Sequence, residues 1–250
     1  MKFWARAIAI IVASIVQTAV SHAVELTVLA SQGNLPGVNE LSAAFARSSG
    51  HKVTVLQEAG PALEQRLSHG PADLITGNPE SIDAVLNKGH VVAGTVTPFM
   101  SAGLGVSVRA GAPKPDISTV EAYKKALLAA KSIGYSRGCS GTNVAEGIAR
   151  LGLTEPLKAK TILTSGGPVA DHLARGEFDI GIQQTNIMVG VPGTVYVGPL
   201  PGFLNKPCPS SVALLATSKQ PDAARAMIAF MASPAAAPLL RKTHVEPAKP

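Results

Sequence analysis

The run YSRGCSGTN, residues 135–143, brings a guanidinium, several hydroxyls, glycines and one of only two cysteines together. Arg137 suits a carboxylate or other oxyanion, which its planar fork can hold through two parallel hydrogen bonds. The plain alternative is a solvated loop arginine. Ser136, Ser140, Thr142 and Asn143 are further candidate donors, and Gly141 adds a backbone N–H. One hydroxyl, Ser140 or Thr142, is expected to cap the helix that follows. Cys139 reads either as a nucleophile or as half of a disulfide with Cys208, and no histidine lies near it in sequence to activate it.

Three other turns repeat this chemistry: LASQGNLPG, QEAGPA and TSGGPV. Each lies between a strand-like and a helix-like segment, where free N–H groups and the helix dipole favour an anion. Ser31, Gln32, Gly33 and Asn34 are candidate ligand contacts in the first, either binding or only shaping the turn. Ala59 and Gly60 offer N–H groups in the second, Gly166 and Gly167 in the fourth. Gln183 and Gln184, with Thr185 and Asn186, follow the run DIGI and are candidates to close a cleft from its hinge. Glu58 does not fit an anion site. It either points away or, if buried in the site, acts as a general base with a raised pKa.

Other chemistries find no support. No turn reads GxxxxGK[ST] or GxGxxG, and GCSG is not the GxSxG nucleophile elbow. The histidines His51, His69, His90, His172 and His244 show no metal-ligand spacing, so neither metal nor cofactor is expected.

Alternating strand and helix segments must position these turns. ELTVLA, HKVTVLQ and ADLITG read as strands. The helices between them carry Val38, Leu41 and Phe45, then Leu63 and Leu67; NPESIDAVLNKG starts on an Asn-Pro cap. The rhythm repeats from AGLGVSVRAG, read as one strand, through VEAYKKALLAAK, SIGYS, TNVAEGIARLG, KTILTS, GPVADHLARGE and DIGIQQ. Two extended segments and two helices end the chain. A βα alternation of this kind predicts a mostly parallel sheet covered by helices. Two such series predict two α/β lobes, the alternative being a single doubly wound domain. The expected division is 24–105 with 205–250 in a discontinuous first lobe, and 106–204 in the second, with a ligand cleft between them.

Lys2, Arg6, the apolar AIAIIVASIVQTAV and the small-x-small SHA read as a secretory leader over residues 1–23, with cleavage expected after Ala23; the alternative is a membrane anchor. Removal of the leader takes two positive charges from the formal net charge of +6 and leaves +4. No basic run tracks a nucleic acid, and no later stretch is long and apolar enough to span a bilayer. The expected molecule is a periplasmic monomer, not membrane-embedded, with a small anionic ligand. Its only tryptophan, Trp4, leaves with the leader, which argues against sites built on aromatic stacking.

The segments ELTVLASQGNLPGVNELSAAF, SGHKVTV, ALEQRLSHGPADLI, AGLGVSVRAGAPKPDIST, LARGEFDIGI and AFMASPAAAPLLRK resemble the periplasmic molybdate-binding-protein family of ABC-transporter solute receptors. The resemblance covers nearly all of the mature chain. It implies a type II periplasmic-binding fold, an interlobe cleft and a permease partner. Molybdate-binding members carry a hydroxyl near Gly33, serines near Gly60 and a tyrosine after the DIGI strand. Here Gly33 stands beside Gln32, Gly60 beside Glu58, and Gln183 and Gln184 replace the tyrosine. The resemblance therefore points to a remodelled site that suits a small organic acid. The family also includes aconitate isomerase-like members. If the chain shares that activity, Glu58, Ser31 or Cys139 would move the proton.

Overall fold

A computed structural model describes residues 23–58, 60–165 and 167–249, without the side chains of Gly60 and Pro61. The expected leader (apart from Ala23), Ala59 and Gly166 therefore lie outside the described residues.

The first lobe begins β1 (Glu25–Ala30), α1 (Leu35–Ser49), β2 (Lys52–Gln57), α2 (Gly60–His69), β3 (Leu74–Gly77), α3 (Pro79–Asn87) and β4 (Thr97–Ala102). Strand side chains alternate across a sheet. Accordingly Leu26 and Val28 enter one core with Val38, Leu41 and Phe45 of α1, while Leu29 enters a second with Leu67 of α2 and Ile82 of α3. Both faces are covered. The caps are local: Asn78 Oδ1 accepts from the Ser81 N–H at 3.1 Å to start α3, and Gly50 ends α1 in the left-handed region at φ 75°.

The second lobe contains β5 (Leu104–Arg109), α4 (Val120–Ala129), β6 (Ile133–Tyr135), α5 (Cys139–Arg150), α6 (Thr154–Lys158), β7 (Thr161–Leu163), α7 (Val169–Ala174), β8 (Ile180–Gln184) and β9 (Thr194–Pro199). Val106, Ile133, Ile180 and Ile182 pack with Leu127 of α4, Val144 of α5 and Leu157 of α6. On the other face Phe178 lies against Gly134, where any Cβ would overlap its ring. The chain then returns to the first lobe as β10 (Cys208–Leu214), α8 (Pro221–Met231), α9 (Ala237–Lys242) and β11 (Glu246–Pro247). Met227, Met231 and Leu240 of the last two helices join the core beneath α1.

The sheets are mixed, which corrects the mostly parallel expectation. The first runs β11-β4-β10-β3-β1-β2, the second β7-β6-β8-β5-β9. β1 is parallel to β2 and β3, but the returning β10 is antiparallel to both β3 and β4. In the second sheet β6 is parallel to β7 and β8, while β5 is antiparallel to β8 and β9. β5 and β10, antiparallel to both their neighbours, are the strands on which the chain enters the other lobe.

AGLGVSVRAG is not one strand, since β4 ends at Ala102 and β5 begins at Leu104. Pro98 hides β4 from a strand reading, because proline cannot donate to a ladder. A register shift opposite Ser210 and Ser211 accommodates it. The short α6 was also unanticipated. Among the described residues no single helix is long and apolar enough to cross a membrane.

Two backbone segments join the lobes, the single residue Gly103 and the stretch 200–207. They hold each other: Asn205 Oδ1 accepts from the Leu104 N–H at 2.7 Å. A third link is covalent. Cys139, at the start of α5, forms a disulfide with Cys208, at the start of β10, with Cα atoms 5.9 Å apart.

Candidate functional site

The cleft between the lobes is built from strand ends. β1 runs into Ser31–Asn34, β3 into Asn78, β6 into Ser136–Gly138, and β8 ends at Gln184. These turns line a cavity of about 220 Å³ together with Ser81, Cys139, Ser140, Gln183, Cys208, Pro209 and Ser210. None of its described lining residues is a carboxylate, and its one formal charge is Arg137.

Three side-chain amides in this wall are held by their oxygens. Asn78 Oδ1 accepts from the Ser81 N–H at 3.1 Å, and Gln183 Oε1 from the Val169 N–H of α7 at 2.9 Å. A backbone N–H can only donate, so both contacts fix which end of the amide is oxygen. Asn34 Oδ1 accepts from the Ser210 hydroxyl at 2.8 Å. Each amide is left with its NH2 group. That of Asn34 is buried without a partner in a side chain only 2% exposed. An unmade buried donor costs about 1–3 kcal/mol, which a ligand acceptor would recover.

Ser31 precedes a 3-10 turn with extended backbone, and its hydroxyl makes no capping bond. It and Gln32 are therefore available to a ligand. Arg137 is exposed on the opposite wall and makes no hydrogen bond or ion pair among the described residues. Ser136 Oγ and Ser140 Oγ lie 3.2 Å apart, presenting a hydroxyl pair below it. Gly33 and Gln184 meet across the cleft, and Asn186 Nδ2 donates to the Gly33 carbonyl at 2.8 Å. Beneath β8, Tyr196 Oη lies 3.3 Å from Thr185 Oγ1, and burial raises the Tyr196 pKa above its ordinary value. Burial likewise raises that of Tyr135, so both phenols stay neutral near pH 7.

Other expected contacts fall outside this wall. α5 begins at Cys139, so Ser140 and Thr142 sit inside the helix and neither caps it; Gly138, at φ 83°, occupies the cap position. Thr142 is exposed and does not line the cavity, nor does Gly167. Gly141 is required by packing, because a Cβ there would overlap the Ser136 carbonyl. The amide of Asn143 donates to the Lys206 carbonyl at 3.1 Å and so braces the crossing segment. Gly60 opens α2. Cys139 has no free thiol, which removes it as a nucleophile.

Glu58 is paired. Its carboxylate meets Arg66 of α2 at 3.2 Å, and its side chain is 14% exposed. It borders a recess of about 200 Å³ that shares Ser31 and Ser81 with the cleft. A cavity of about 430 Å³, with Lys114, Phe178 and Asp179, lies at the opposite end of β8 and meets none of the glycine-rich turns.

The sequence reading missed Asn78, Ser81 and Ser210 as cleft residues. Asn78 was legible as a cap, and a cap after a strand also faces the ligand side. Nothing local marks Ser210, which reaches the site only because β10 returns beside β3.

Residues 26–246 match the family described as bacterial extracellular solute-binding protein, and the chain belongs to it. A relative named aconitate isomerase, from a Pseudomonas species, is 30% identical over 246 residues, covering 96% of this chain and 94% of that protein. The periplasmic molybdate-binding protein of Azotobacter vinelandii superposes with a TM-score of 0.70 at 20% identity, covering 90% of this chain and 99% of that one. A sulfate-binding protein of Mycobacterium tuberculosis gives 0.68 at 20%, covering 91% and 88%. At that identity the structural likeness shows the fold, which is the type II periplasmic-binding fold.

Proposed function

We propose that this chain captures a small organic acid in its interlobe cleft and delivers it to an ABC-transporter permease, after export to the periplasm through its leader. One observation carries the reading. Three amides pinned by their oxygens and an unpaired Arg137 line a cavity with no carboxylate among its described residues. Such a wall favours negative charge and disfavours cations. Its donors stand on both lobes, which suits an acid with carboxylates at two ends. The cavity, about 220 Å³, lies below the ~300–1,000 Å³ of pockets for drug-sized ligands.

Calorimetric titration with citrate, trans-aconitate, molybdate, tungstate and sulfate tests this. A carboxylate that binds while the inorganic ions stay silent is the expected result. Molybdate binding alone would replace the organic acid by an oxyanion, and silence with every anion would remove the receptor reading.

The 30% identical relative favours a second reading, a 1,3-proton shift that converts trans- to cis-aconitate. It needs a base to take a proton from one carbon and an acid to return one to another. Ser31 is in the cleft, Glu58 is committed to Arg66 in the adjoining recess, and Cys139 is in a disulfide. Incubation with trans-aconitate followed by chromatography decides it, and cis-aconitate formed in proportion to protein would establish the enzyme.

A further inference from the structure

Gly33 and Gln184 face each other across the cleft, one from each lobe. A Cβ built on Gly33 would overlap the Gln184 side-chain amide, with its oxygen nearest. Gly33 is not among the glycines with positive φ, so its backbone does not require glycine. The turn would accept alanine if only local conformation mattered. The missing side chain is space, and Gln184 occupies it.

Two further observations make this a designed contact rather than a loose approach. Asn186, two residues beyond Gln184 and buried, donates to the Gly33 carbonyl at 2.8 Å, which pins the second-lobe loop onto the first-lobe turn. Gln184 also lines the cavity, and its amide makes no hydrogen bond among the described residues. A cleft-lining amide with both its donor and its acceptor unspent is available to a ligand.

We propose that Gly33 and Gln184 form a coupled selectivity pair. Gly33 makes the room that seats the Gln184 amide at the mouth of the first turn, and the seated amide reads the ligand. This rests on the organic-acid reading above and adds the determinant of choice. The amide offers an acceptor beside its donor. A ligand with a hydroxyl or a protonated carboxyl group satisfies both, whereas a fully ionised inorganic oxyanion meets the amide oxygen with repulsion. Because the obstructing atoms are the far end of a flexible side chain, Gly33→Ala would displace Gln184 and leave the fold standing. Position 33 would then act only through position 184.

A double-mutant cycle read by calorimetry tests the coupling with the purified full chain, using citrate, trans-aconitate and molybdate as probes. Gln184→Ala is expected to weaken the bound carboxylate about tenfold, the effect of one hydrogen bond lost to a charged ligand. Gly33→Ala should match it, and the Gly33→Ala/Gln184→Ala double variant should fall within about twofold of Gln184→Ala alone. The ratio of citrate to molybdate affinity should drop in all three variants, because citrate carries a hydroxyl for the amide oxygen and molybdate carries none. Losses that multiply in the double variant would overturn the coupling. An unchanged ratio in Gln184→Ala would overturn the role of the amide in selectivity, even if Gly33→Ala failed to fold. Wild-type protein silent to every probe would remove the receptor reading and this inference with it, whereas wild-type binding with an additive cycle removes the inference alone.

Discussion

Two turns with similar composition meet opposite fates. Glu58, between β2 and α2, and Ser136–Gly138, between β6 and α5, each follow a strand, and each place carries one charged side chain. In the first, Glu58 is matched by Arg66 from its own helix, and the pair closes on itself beside the cleft. In the second, Arg137 has no partner among the described residues and stands in the cleft wall. The turn below it is braced by the disulfide and by Asn143 on the crossing segment. A charge is left available to a ligand when nothing in the fold neutralises it, and composition alone does not report that.

The largest effect that would break this contrast concerns the brace. Cys139→Ser with Cys208→Ser should lower unfolding stability by about 4 kcal/mol, the loop-closure value for a long crosslinked loop. Denaturant titration checks it; an unchanged midpoint would mean that the second turn is held without its covalent link. Arg137→Met comes next. Loss of a charge-assisted contact should weaken anion binding about 10- to 100-fold with little change in melting temperature. A loss within twofold would return Arg137 to a solvated loop and erase the difference between the turns.

Asn78→Ser sharpens the comparison from the neighbouring strand end. Serine keeps the cap on α3 but removes the free NH2 group, so affinity should fall about five- to tenfold while stability moves by a few tenths of a kcal/mol. The smallest effect belongs to Glu58→Gln. A partly exposed pair contributes about 0–1 kcal/mol, so stability and anion affinity should barely change. If trans-aconitate is turned over and this variant abolishes turnover, Glu58 is the base and the quiet turn is the catalytic one.

Much of the fold was legible. Period-two apolar runs marked β1 and β2, the Asn-Pro cap marked α3, and two of the four glycine-rich turns, LASQGNLPG and SRGCSGTN, line the cleft. β4 was hidden by Pro98, and the mixed pairing by the return of β10, because neither proline tolerance nor strand direction is written in one segment. The first-turn residues Ser31, Gln32, Gly33 and Asn34 do line the cleft, whereas Thr142 and Gly167 do not. A turn's composition specifies that N–H groups and hydroxyls are present. It does not specify which way a helix start rotates them.

By itself the sequence determined the α/β class, the glycine- and hydroxyl-rich turns and the absence of nucleotide-loop motifs, since these depend on residue types at short range. Only the tertiary structure decided that Cys139 meets Cys208, that Arg66 claims Glu58, that Ser210 pins Asn34, and that Gln184 fills the space Gly33 leaves. Each of these joins residues distant in sequence or on separate elements. Pairing of that kind is set by how sheets and helices pack in three dimensions, which local propensity does not encode.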